Sequence, residues 1–108
     1  MQQFPDAWST LTKIDFLQRK IIVNSVAYYQ YDESPLTDYA YDEMCKQLVQ
    51  LHQEYGRNFA KDSRYGYVFY DFDGSTGFHL YERLTPEDRY YIDIMGRIKF
   101  GKGGVTCQ

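Results

Sequence analysis

A mainly α-helical fold, with α+β at its margin, is what this sequence predicts, on three observations. Apolar residues recur at helical spacing in two long segments, Leu11 to Tyr28 and Tyr41 to Tyr55. A break containing Pro35 separates them, and so short a connection makes the two helices antiparallel neighbours. A third helix start is written in Thr85-Pro86-Glu87-Asp88. The expected architecture is an antiparallel helical hairpin (9–55), then a short strand or hairpin and a C-terminal helix (65–100). All 108 residues make one domain's length of chain.

The first helix is expected to start near Ser9 or Thr10 and to run to about Tyr29. Its stripe is Leu11, Ile14, Leu17, Ile21 and Tyr28, widened by Ile22 and Val26. Thr37 or Asp38 caps the second helix, whose stripe is Tyr41, Met44, Cys45, Leu48, Leu51 and Tyr55, and Gly56 ends it. Tyr67-Val68-Phe69-Tyr70, bounded by Gly66 and Asp73-Gly74, reads as a short strand. Residues 78–84 read as a returning strand or a short helix after Ser75 or Thr76, with the spacing of Leu80, Tyr81 and Leu84 leaning towards helix. In the last helix Tyr91, Ile94, Met95 and Ile98 supply the apolar face, and Gly101 to Gly104 ends it.

Composition excludes more than it assigns. Twelve Lys and Arg against fifteen Asp and Glu give a net charge of −3, which argues against a general electrostatic grip on nucleic acid and leaves room only for a local patch. The longest apolar run is Ile21-Ile22-Val23, so neither a membrane span nor an export signal is expected. Cys45 and Cys107 then read as free thiols in a reducing, cytoplasmic compartment. Tyrosine is in excess, at twelve residues. Five of them (Tyr28, Tyr29, Tyr31, Tyr39, Tyr41) lie within fourteen residues, and residues 28–43 hold five acids (Asp32, Glu33, Asp38, Asp42, Glu43) and no base. Such a corner is either a solvated turn or a contact surface.

Several motifs suggest chemistry and lack its remaining parts. Val68 to Ser75 imitates the Asp-x-Asp-Gly loop of haloacid-dehalogenase phosphatases, but only thirty-four residues follow Gly74, too few for the sheet those enzymes need. Asp71, Asp73, Ser75 and Glu82 partly match a calcium loop, with Thr76 where its glycine belongs; a turn whose carboxylates cap the next helix fits better. His52, expected on the rim of the second helix's stripe, and His79 are too isolated for a metal site. Nothing supports Cys45 and His79 as a catalytic pair. No metal site is expected, and the residues by themselves call for no cofactor.

The segment from Tyr28 to Met44, with Asp38-x-x-Tyr41-Asp42 at its centre, resembles the N-terminal Ia domain of bacterial NAD-dependent DNA ligases. In that family a helical hairpin closes over the nicotinamide mononucleotide (NMN) half of NAD. The resemblance covers about residues 14–52 and implies a nucleotide-contacting set of Tyr28, Tyr29, Asp38, Tyr41 and Asp42. Tyr29 stands where the family has His, so NMN is expected to bind no tighter than about 1 mM, roughly −4 kcal/mol. Helix packing of Tyr41 and capping by Asp38 would also explain those two residues without a ligand. Ligase activity is not expected, because the adenylated Lys-x-Asp-Gly is missing and Asp71 precedes the one Asp-Gly by two residues.

The chain as a whole is similar to small ligase-related proteins of phages and prophages. That resemblance implies a non-catalytic accessory protein in the bacterial host cell, contacting or inhibiting a nucleic-acid-processing or defence enzyme such as a CRISPR effector. Tyr31, Asp32, Glu33, Tyr39 and Glu43 would face this partner, since basic side chains pair with carboxylates and stack on aromatic rings. The alternative is an NMN- or NAD-binding protein derived from the ligase domain.

Overall fold

The computed structural model describes residues 3–30, 37–74 and 80–100. Six helices follow in order: α1 (Thr10–Gln30), α2 (Asp38–Tyr55), α3 (Phe59–Asp62), α4 (Gly66–Phe69), α5 (Leu80–Arg83) and α6 (Pro86–Phe100). The described residues contain no strand.

Local chemistry sets the helix ends. The Ser9 hydroxyl accepts from the Thr12 N–H at 3.1 Å and starts α1. Thr37 does the same for α2, its Oγ1 accepting from the Ala40 N–H at 3.0 Å. Gly56, at φ +100°, ends α2 by returning its N–H to the His52 carbonyl, a conformation that side-chain-bearing residues rarely adopt. Thr85 caps α6 through the Asp88 N–H at 3.2 Å, with Pro86 as first helical residue.

Helix α1 is the central element and packs against α2, α5 and α6. Of its expected stripe Ile14, Leu17, Ile21, Ile22 and Val26 are buried, Leu11 is half-buried and the Tyr28 side chain lies outside the described residues, while burial extends all round the helix over Ile21 to Ala27. Two polar residues in that stretch satisfy themselves on the preceding turn. Asn24 donates to the Lys20 carbonyl at 2.7 Å, and Ser25 to the Ile21 carbonyl at 2.9 Å. Cross-helix bonds fix the direction of α2. Thr10 bonds Glu54, Gln18 bonds His52 and Ser25 bonds Tyr41, so partner numbers fall as α1 rises. The hairpin is antiparallel. Ile14, Leu17, Ile21, Met44, Cys45 and Leu48 share its core with Val68, Phe69, Leu80, Leu84 and Ile92.

Three expectations need correction. Residues 67–70 are not a strand; Gly66–Phe69 is a helical turn in which the Val68 and Phe69 N–H groups both return to the Tyr65 carbonyl. Val68 and Phe69 are both fully buried, while Tyr67 and Tyr70 are exposed. Adjacent residues of a strand point to opposite faces, so only a helical turn puts this neighbouring pair into one core. Gly66 makes that turn fit. A Cβ there would stand 2.4 Å from the Ala60 carbonyl oxygen of α3.

The face of α6 is also rotated from the expected one. Ile92 and Asp88 are buried and Tyr91 is 53% exposed beside exposed Tyr90. Ile94 and Met95 are half-buried, and the Ile98 side chain lies outside the described residues. The carboxylate at Asp88 hides this stripe from a reading by hydrophobicity. In the structure Asp88 accepts from the Arg64 guanidinium at both oxygens and from the Tyr67 hydroxyl. Arg64, first among these, holds it below the usual carboxylate range.

The third correction is His52, which is buried rather than on the rim. Its ring stacks on Phe59 with centroids 3.6 Å apart. The helical reading of residues 78–84 holds over Leu80–Arg83, with Leu80 and the following Leu84 buried, whereas residues 75–79 lie outside the described residues.

Candidate functional site

The end of the hairpin where α1 finishes and α2 begins holds most of the residues singled out by the sequence. Tyr28 and Tyr29 lie in the last turn of α1, and Asp38 is the first residue of α2; their side chains fall outside the described residues. Tyr31, Asp32 and Glu33 of the connection also lie outside them.

Tyr41 is half-buried against the core, and its hydroxyl is 2.7 Å from the Ser25 Oγ. Ser25 spends its own proton on the Ile21 carbonyl, so Tyr41 donates to Ser25. This bond fixes the ring against α1 and leaves its position little freedom. Asp42, one residue on, is exposed. Tyr39 is 74% exposed, and Glu43 is half-buried with Lys46 at 3.8 Å. Asp38, Tyr41 and Asp42 share one edge of the helix by their spacing of three and four. Ser25 is the participant that sequence reasoning missed. Its signal was a hydroxyl placed, with Asn24, among the apolar residues of Ile21 to Ala27.

An aromatic ring held in place beside exposed carboxylate suits a flat cation. The pyridinium of nicotinamide is one, and the guanidinium of a protein partner is another. Burial pushes the Cys45 thiol up to about 12, with the Asp42 charge adding to it, so the sulfur stays protonated and unreactive.

Of the Asp71 to Glu82 motifs, whose Ser75, Thr76 and His79 lie outside the described residues, Asp71 has a structural part. Asp71 is clasped by Arg83, whose Nη1 and Nη2 lie 2.6 and 3.1 Å from its two oxygens, and this bond holds its carboxyl below the usual range. Asp71 therefore ties the segment after α4 to α5. Among the described residues no group of three or more His, Cys, Asp and Glu is placed to hold a metal. No described helix is long and apolar enough to cross a membrane.

His52 gives the fold a pH dependence. Desolvation pushes its imidazole down to about 4, because the ring is enclosed by Gln18, Phe59 and Phe69. A histidine kept neutral in the fold but protonated when unfolded stabilises fully above its unfolded value near 6.5, and this stability is lost as pH falls from there towards 4. Between pH 7 and pH 5 the loss is on the order of 2 kcal/mol. Urea titrations at the two pH values check it: the difference is expected to vanish in His52→Leu, and an equal difference in the variant would contradict it. Asp88 acts below this window, since its depressed carboxyl loses its contribution only under about pH 4.

A family model described as a DNA ligase-like, N-terminal NAD+-binding domain matches residues 8–64, from just before α1 to just past α3. No curated protein and no solved structure matches the chain.

Proposed function

Because this chain belongs to the DNA ligase-like N-terminal NAD+-binding domains, whose model covers more than half of it, we propose that it is a non-catalytic binding module for the NMN half of NAD+, held at the α1–α2 end of the hairpin. The observation that carries the reading is Tyr41, pinned to Ser25 beside exposed Asp42 within the matched segment. Tyr41 offers its ring to the pyridinium. Asp42 and Asp38 supply negative charge at its edge, and Tyr28 and Tyr29 complete the set by the resemblance. The module does not transfer adenylate, since the sequence holds no Lys-x-Asp-Gly nucleophile.

Tyr29 in place of the family's His sets the expected strength at about 1 mM, near −4 kcal/mol. Calorimetric titration of concentrated protein with NMN tests this. Weak saturable binding is expected, weakened at least about tenfold by Tyr41→Ala; binding unaltered in that variant would overturn the assignment. Tyr41→Phe separates ring from hydroxyl, because it keeps the stacking face and loses the hydroxyl's bonds, that to Ser25 among them.

A second reading is favoured by the 74% exposure of Tyr39, a residue that the nucleotide set does not use. On this reading the acidic, tyrosine-rich corner of a phage or prophage accessory protein docks on a basic surface of a host nucleic-acid-processing or defence enzyme. Tyr39→Ala discriminates between the two readings. It leaves NMN binding unchanged and weakens a protein complex.

A further inference from the structure

The N-terminal end of α1 carries a feature that the NMN reading leaves unused. Phe4, Trp8 and Phe16 form a half-buried trio, with Phe4 stacked on Trp8 at 5.6 Å between centroids. Phe16 meets both edge-on, at 5.8 Å from Phe4 and 5.6 Å from Trp8. The Trp8 N–H bonds the Pro5 carbonyl at 3.1 Å, so a turn holds the approach to the helix.

Cations surround the trio. Lys13 Nζ lies 6.0 Å from the Phe4 centroid, and the Arg19 guanidinium carbon and Lys20 Nζ lie 6.0 and 5.6 Å from that of Phe16. Residues 1–54 contain four Lys and Arg in all, and three of them gather here. Of the two acids in the first twenty-three residues, Asp15 is engaged by the Arg64 backbone N–H at 2.8 Å, and Asp6 stands exposed in the turn. In a chain of net charge −3, this gathers three cations and three aromatic rings along the first half of α1 and the turn before it, with Glu54 bonded to Thr10 at the helix start.

We propose that this surface binds single-stranded nucleic acid. Bases stack on aromatic side chains whatever their sequence, and Lys and Arg neutralise the flanking phosphates. The trio supplies the first element and Lys13, Arg19 and Lys20 the second. Charge complementarity selects a polyanion, and the stacked, half-buried rings suit flat bases better than the protruding side chains that enter a lipid surface. With three cations the predicted contact is short, one or two bases with about three phosphates.

Trp8 is the one tryptophan of the sequence, so its fluorescence reports on the site directly. The test titrates the full chain with an oligothymidylate of about ten nucleotides, following Trp8 emission and the anisotropy of a labelled strand. Quenching is expected together with strong salt dependence. Three phosphates at a slope of about −0.7 each on logarithmic axes weaken binding about 18-fold between 50 and 200 mM salt. The variant Lys13→Gln, Arg19→Gln, Lys20→Gln is expected to lose binding while retaining the wild-type circular dichroism; should it fail to fold, the wild-type salt slope decides. Absence of both signals at 50 mM salt, salt-independent binding, binding that survives in the folded triple variant, or binding to phosphatidylglycerol vesicles with none to the oligonucleotide would each overturn the proposal.

Discussion

Replacing Leu48 by alanine is expected to cost about 2–5 kcal/mol of stability, the range for truncating a buried leucine. The side chain is fully buried and sits in the core that α2 shares with α1. Its loss removes apolar contact and leaves a cavity that two capped helices, fixed at both ends of their antiparallel packing, cannot close. The melting temperature should fall by about 10 °C or more. Tyr39→Ala, on the exposed side of the same helix, serves as the control and should change stability by no more than about 0.5 kcal/mol. A Leu48 variant that melts with the wild type would contradict the hairpin packing described above.

Gln18→Leu is expected to cost about 2–4 kcal/mol although it replaces a polar core residue by an apolar one of similar size. Gln18 is fully buried, and all of its amide is in use. Its Nε2 donates to Ser63 Oγ at 2.9 Å and approaches His52 Nε2 at 3.3 Å, and its Oε1 accepts from the Tyr65 N–H at 3.1 Å. Leucine would strand the Tyr65 amide and the His52 nitrogen in the interior, each at about 1–3 kcal/mol. These bonds, together with that from the Arg64 N–H to Asp15, join the hairpin to the turn between α3 and α4. Amide exchange at Tyr65 and Gly66 should accelerate more than at Leu48, and uniform exchange across the chain would show that Gln18 has no such local role.

What the sequence made legible was local chemistry. Ser9, Thr37, Gly56, Thr85 and Pro86 each act within four residues of their own position, and each ends or starts a helix where it was expected to. The misreadings share a different cause. Tyr67 to Tyr70 looks β-like by residue type, and only packing of Val68 and Phe69 into one core selects a helical turn. Asp88 concealed the buried stripe of α6 because its partner, Arg64, lies twenty-four residues away. His52 looked marginal because Gln18, which encloses it, is thirty-four residues distant. At the candidate site, Tyr41 and Asp42 were found through a short motif, whereas Ser25, sixteen residues before Tyr41, has no motif to reveal it.

On the proposal made above, the α1–α2 end of this ligase-type hairpin is the working surface and NMN is its ligand. The most direct measurement is a titration of isotopically labelled protein with NMN, followed by two-dimensional amide NMR up to several millimolar ligand. Saturable shifts confined to Ser25 through Tyr29 and Asp38 through Asp42 are expected, with α6 silent, and they should be lost in Tyr41→Ala. Shifts centred on α6 or on the Phe4–Trp8–Phe16 cluster, or none at any concentration, would contradict it.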